Sequence, residues 1–121
     1  MIFGIGVDTV QIDRFERALE RTPALRTRLF TNDDAQLPTH SLAARFAAYE
    51  ALIKALGDSH SLAWHDMRIE KNGKGAPEFV RTQALAALLT RLHADRVHVS
   101  MTHDGNYATA FVIVESSGGA A

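Results

Sequence analysis

Apolar positions recur along this chain with two periods. Leu42, Phe46, Tyr49, Ile53 and Leu56 follow the helical spacing i, i+4, i+7, i+11, i+14 and draw one apolar stripe. That stripe predicts a helix from Leu42, capped by Ser41 and ended by Gly57 at its C′ position. Glu50 falls at the stripe's edge, about 40° of helix surface from Phe46, so a carboxylate lies where core or interface should begin. Ile12 to Arg21 predicts a first helix, with Ile12, Phe15 and Leu19 on one face and Arg14, Arg17 and Arg21 on another. Ala84 to Ala94 predicts a third, with Leu85, Leu88, Leu89 and Leu92 turned to the core.

The two-residue period marks the strands. Ile2 to Val7 predicts a short buried strand that stops at Asp8, with Gly4 and Gly6 closely approached by another backbone. Met67–Glu70 and Pro77–Val80 flank the turn residues Asn72, Gly73 and Gly75 and predict a hairpin. A second hairpin joins Val97–Thr102 to Tyr107–Glu115 through Asp104-Gly-Asn106, with Tyr107, Thr109, Phe111 and Ile113 facing one way. Residues 22–39 hold two prolines and are expected to be loop, with one helical turn after Thr31 capped by Asn32 or Asp33; 58–65 predicts a polar loop and 116–121 a frayed tail. This order predicts an α+β fold, an antiparallel sheet packed with helices, in a single domain over residues 1–121.

Composition narrows the function. A length of 121 residues supports one core, and 46% hydrophobic with 22% charged residues is ordinary for a globular fold. A formal net charge of −1 speaks against bulk nucleic-acid or membrane electrostatics. With no cysteine there is no disulfide framework or thiolate nucleophile. A cytoplasmic protein without a nucleic-acid or membrane partner is the expectation.

The candidate chemistry is correspondingly limited. His40, His60, His65, His93, His98 and His103 show no zinc-ligand spacing, and no nucleophile elbow, Walker loop or dinucleotide fingerprint is present. Two carboxylates remain, Asp8 at a strand end and Glu50 on a helix flank, with Arg45 and Lys54 on the same helix. Hard oxygen ligands of this kind suit Mg²⁺ completed by water and phosphate. Each residue also has a simpler role available. Asp8 could form a turn, Glu50 could pair with Lys54 at i+4, and His103 could cap the turn beside Asp104. The arginine stripe is either a solvated face paired with Asp13, Glu16 and Glu20 or a dock for an acidic helix.

Three blocks together resemble a known family: Gly4-Ile-Gly-Val-Asp-Thr-Val-Gln-Ile-Asp-Arg14, Ala44-Arg-Phe-Ala-Ala-Tyr-Glu-Ala-Leu-Ile-Lys-Ala-Leu-Gly57, and Val99-Ser-Met-Thr-His-Asp104 with Ala108-Thr-Ala-Phe-Val112. In order, spacing and total length the chain is similar to holo-[acyl-carrier-protein] synthases, the short single-domain class of 4′-phosphopantetheinyl transferases. The resemblance implies transfer of the phosphopantetheine arm of coenzyme A to a serine of apo acyl carrier protein, with release of adenosine 3′,5′-bisphosphate. It implies that Asp8 and Glu50 hold Mg²⁺, that Arg45, Lys54 and Gly57 contact coenzyme A phosphates, and that His103 lies near the nucleotide or the metal-bound water. It further implies that Arg14, Arg17 and Arg21 meet the acidic helix of the carrier protein, and that the protein is a homotrimer with active sites at subunit interfaces. Asp8, Glu50 and His103 are then the catalytic candidates.

The chain departs from the family pattern at two places. Tyr49 stands where lysine usually precedes the helix glutamate, and Asp58-Ser59 follow Gly57 where Gly-Thr-Gly is usual. Slower turnover or weaker coenzyme A binding is the expectation from these changes. A different possibility is a non-catalytic trimeric domain that keeps only the carrier-binding face.

Overall fold

The glycine-rich first segment extends further than its apolar run. In the computed structural model, which describes residues 1–117, strand β1 spans Ile2–Gln11 and pairs antiparallel with β5 (Tyr107–Glu115), which in turn pairs antiparallel with β4 (Arg96–Asp104). Thr9, Val10 and Gln11 continue the ladder opposite Thr109, Ala108 and Tyr107, so Asp8 sits within the strand and not at its end. The extension has a simple cause, since β-branched Thr9 and Val10 suit the pleated ladder.

The alternation of β1 runs opposite to the expectation of a buried apolar strand. Gly4, Gly6 and Asp8 share the inward face, while Ile5 and Val7 remain 54% and 50% exposed. Against the inward face lies α3 (Thr39–Leu56), which the sheet and its neighbours bury on almost every side. Its small residues set the separation. A Cβ on Gly4 would lie 1.8 Å from the Ala55 carbonyl oxygen and one on Gly6 1.8 Å from that of Ala51, so only glycine allows strand and helix to meet this closely. Ala108, Ala110, Val112 and Val114 of β5 complete the wall. The central helix starts earlier than expected, at Thr39 after Pro38, which places Ser41 inside the first turn instead of at the cap. Gly57 ends it with a φ of 96°, the left-handed geometry glycine tolerates.

The remaining helices pack around this centre. α1 (Ile12–Arg21) has the expected bounds and buries Phe15 and Leu19. α2 (Ala24–Leu29) occupies part of the stretch expected to be loop; Leu25 and Leu29, four apart, were the signal that the flanking prolines obscured. The expected turn after Thr31 is a one-turn 3₁₀ segment, Asp34–Gln36, with no side-chain cap from Asp33. β2 (Ile69–Lys71) and β3 (Pro77–Phe79) form the predicted hairpin, and α4 (Gln83–Arg91) is capped by the Thr82 hydroxyl, which accepts from the Leu85 N–H. Ser116, expected to fray, exchanges backbone hydrogen bonds with Met1 at 2.7 Å in each direction, and the rest of that tail from 118 onward lies outside the described residues.

Gly6→Ala is expected to destabilise the protein by at least about 3 kcal/mol, because the contact is backbone to backbone and no side chain can yield. Gly73→Ala, where nothing lies within 4 Å of the added Cβ, is the control expected to be near neutral in urea denaturation.

Candidate active site

Asp8 follows Gly4 and Gly6 on the inward face of β1, and Glu50 precedes Ala51 on α3, so the glycine–alanine contact carries the two carboxylates toward one another. Lys54, one helical turn beyond Glu50, reaches across to the strand. Its ammonium donates to Asp8 Oδ1 at 3.1 Å and to the Val7 carbonyl at 3.0 Å. The sequence spacing offered Glu50 as the partner of Lys54; the fold gives it Asp8 instead. Burial raises the Glu50 carboxyl above its ordinary range, the neighbouring Asp8 charge raises it further, and Lys54 opposes both. All three groups therefore form one electrostatic unit at the helix–strand seam. Two carboxylates with hard oxygen donors fit a divalent cation such as Mg²⁺, and because the described residues contain no cluster of three or more metal-binding side chains, other coordination positions would fall to water and substrate oxygens.

The other predicted site residues lie apart from this unit. The helix turns Arg45 about 140° away from Glu50; it is half-buried, and its Nε is buried without a hydrogen-bond partner. His103 is on the inward face of β4, two strands from β1, or about 10 Å across the sheet, and two residues along from Met101, the residue level with Asp8. Its ring packs at 4.8 Å from that of His40 in the first turn of α3, a neighbour that no periodicity in the sequence pointed to. Gly57 is exposed at the end of α3, immediately before the turn in which Asp58 Oδ1 accepts the His60 N–H at 2.6 Å.

Tyr49 occupies the core, as its place on the apolar stripe predicts. It is 1% exposed and packs between Phe30 and Phe79, with ring centroids 6.1 and 6.3 Å away. Position 49 therefore belongs to the core and not to the Asp8–Glu50 face. Burial, with Asp34 adding to it and Arg45 and Arg68 opposing, pushes the phenol well above its usual range, so it stays neutral.

On the same side of the molecule, Arg14 borders an apolar groove of about 450 Å³ with Gln11, Phe15, Arg28, Phe46 and Trp64. Asn106 fixes the start of α1 beside it: its Oδ1 accepts the Asp13 N–H at 2.9 Å, its Nδ2 donates to Asp13 Oδ1 at 2.8 Å, and its carbonyl accepts the Ile12 N–H at 2.7 Å. The Asn106 bond is the main cause of the lowered Asp13 carboxyl pKa. Of the predicted arginine stripe, only Arg14 borders the groove. Arg17 pairs with Asp13 at 3.5 Å, Arg21 is exposed at the end of α1, and Arg28 of α2 takes the second cationic position.

Comparison with known proteins gives this geometry its context. The model of the 4′-phosphopantetheinyl transferase superfamily matches residues 4–112. A holo-[acyl-carrier-protein] synthase of Leifsonia xyli subsp. xyli is 53% identical over 115 residues, covering 95% of this chain and 98% of the relative. Among solved structures, the holo-[acyl-carrier-protein] synthase of Neisseria meningitidis superposes with a TM-score of 0.88 at 33% identity, covering 96% of this chain and all of that one. The Helicobacter pylori enzyme, solved in complex with coenzyme A, superposes with a TM-score of 0.80 at 27% identity over 92% of this chain and 99% of its own.

The raised Glu50 carboxyl has a signed consequence for stability. A carboxyl that ionises less readily in the folded state weakens the fold as pH rises through the window between its unfolded and folded pKa values. In chelator-treated protein, Glu50→Gln is expected to raise the thermal midpoint at pH 7, and the gain should vanish below about pH 4, where the carboxyl is protonated in both states. An equal gain at both pH values would show that the substitution acts through packing.

Proposed function

The chain belongs to the 4′-phosphopantetheinyl transferase superfamily, and from that premise we propose that it transfers the 4′-phosphopantetheine group of coenzyme A to a serine of apo acyl carrier protein. It is a holo-[acyl-carrier-protein] synthase in the sense of its relatives. The observation that supports the site is the convergence of Asp8, Glu50 and Lys54 at the helix–strand seam.

Asp8 and Glu50 would hold the divalent cation, which when bound supplies positive charge to the pyrophosphate of coenzyme A. The serine oxygen forms the new bond to the phosphorus next to pantetheine, and the bond from that phosphorus to the bridging oxygen breaks, so adenosine 3′,5′-bisphosphate leaves. Lys54 offers a point charge to phosphate oxygens, and Arg45, His103 and Gly57 are further phosphate or nucleotide contacts in this reading. The serine proton needs an acceptor, and the Glu50 carboxylate at the seam is one group suited to take it. Arg14 and Arg28, flanking an apolar groove, suit the acidic amphipathic helix of a carrier protein.

A homotrimer belongs to the same proposal. The outward face of the sheet carries Ile5, Val7, Tyr107 and Phe111, the last 42% exposed, and a contiguous apolar face of this kind marks an assembly surface. Arg45 and His103 stand away from Asp8 within one chain, which fits a site completed by a neighbouring copy.

Incubation with apo carrier protein, coenzyme A and Mg²⁺ should add the mass of one phosphopantetheine arm to the carrier; a carrier that binds but gains no mass would leave a non-catalytic binding domain. Asp8→Asn and Glu50→Gln should each lower kcat/KM by about a hundredfold or more, and full activity in both would end the metal-site assignment. Light scattering should give a trimer, with Phe111→Glu shifting the mass to the monomer and removing activity; a monomeric, fully active wild type would refute the shared site.

A further inference from the structure

Lys54 is bound twice to β1, once through a carboxylate and once through a carbonyl, and its ammonium has a third donor that remains directed to solvent on a half-exposed side chain. Two properties follow from that placement. Any divalent cation held by Asp8 and Glu50 must share Asp8 with a positive charge 3.1 Å from the carboxylate oxygen. A phosphate anion arriving beside the pair has the ammonium's free donor available and offsets the same charge.

We infer that Lys54 is a positioning residue that couples the two halves of the site: its ammonium makes the Asp8–Glu50 pair a weak metal site by itself and a strong one once the phosphates of coenzyme A are present. The inference rests on Asp8 and Glu50 being the metal ligands and goes beyond that assignment by setting the binding order. Coulomb repulsion between the ammonium and a divalent cation raises the cost of binding metal alone. The phosphates counter it, so metal and coenzyme A strengthen one another's binding by the same factor. Geometry favours a lysine for this role. A flexible four-carbon stem lets the ammonium shift from carboxylate toward phosphate, whereas the Val7 carbonyl holds it near both.

The test measures binding of Mn²⁺ to the intact protein by the paramagnetic resonance signal of the free ion, without carrier protein, in the presence and absence of coenzyme A. For wild type, coenzyme A should tighten Mn²⁺ binding by about tenfold or more. In Lys54→Met, Mn²⁺ alone should bind about tenfold tighter than to wild type, and the enhancement by coenzyme A should shrink by about the same factor, leaving the part that comes from phosphate oxygens on the ion itself. Loss of a merely structural lysine would loosen the site, so tighter binding is a readout that such a role cannot produce. Mn²⁺ affinity in Lys54→Met that is unchanged or weaker overturns the inference, as does an undiminished effect of coenzyme A. Lys54→Gln serves in the same way should the methionine variant fail to fold, and Lys54→Arg, which keeps the charge, should retain the wild-type weakness for metal alone. Asp8→Asn separates the two levels of argument. If it leaves Mn²⁺ binding intact, the metal-site assignment itself fails; if it abolishes binding while Lys54→Met changes nothing, only the coupling fails.

Discussion

The close approach of β1 to α3 is the constraint on which the rest of the molecule depends. Gly4 and Gly6 leave no room for a side chain above the carbonyls of Ala55 and Ala51, and the strand's two-residue period then places Asp8 next along the same row. Had β1 carried side chains there, the helix would stand several ångströms further off. Lys54 could then not bridge to Val7 and Asp8, and Glu50 would face solvent instead of a second carboxylate. Packing and chemistry are thus one feature: the glycines that let the backbones touch also bring three charged groups into mutual range.

That arrangement is electrostatically costly, and the cost is local. Partial burial and the Asp8 charge both disfavour ionised Glu50, with Lys54 offsetting part of the penalty. A seam held open for charge in this way runs beside a core of ordinary composition, in which Leu42, Leu52, Tyr49 and Phe30 are almost fully enclosed. The stability lost at the site is therefore carried by packing elsewhere, a common division in proteins whose polar clusters serve binding.

The sheet has two faces with different tasks. Its inner face, made of glycine, alanine and valine, is cut to the helix; its outer face, with Ile5, Val7 and Phe111 in register, is left uncovered by any of the described elements. The glycines thus push the apolar character of β1 outward, which is why a strand expected to be buried presents half-exposed isoleucine and valine. One alternation accounts for both the intimate helix contact and the apolar outer surface.

Much was legible before the tertiary structure. Helix α1, strand β5, both hairpins, the Gly57 helix end and the close approach at Gly4 and Gly6 followed from period and turn chemistry, because these are local preferences written over several residues. The Asp8–Glu50 pairing was open to a family resemblance and not to spacing, since 42 positions separate the two residues. Only the folded chain decided that Lys54 turns to Asp8 and not to Glu50, that Tyr49 packs between Phe30 and Phe79, that His40 meets His103, and that Arg28 stands beside Arg14 at the groove in place of Arg17 and Arg21. Those outcomes depend on which elements pack together and at what distance. A linear pattern specifies the face a side chain occupies but not the partner that the fold brings to it.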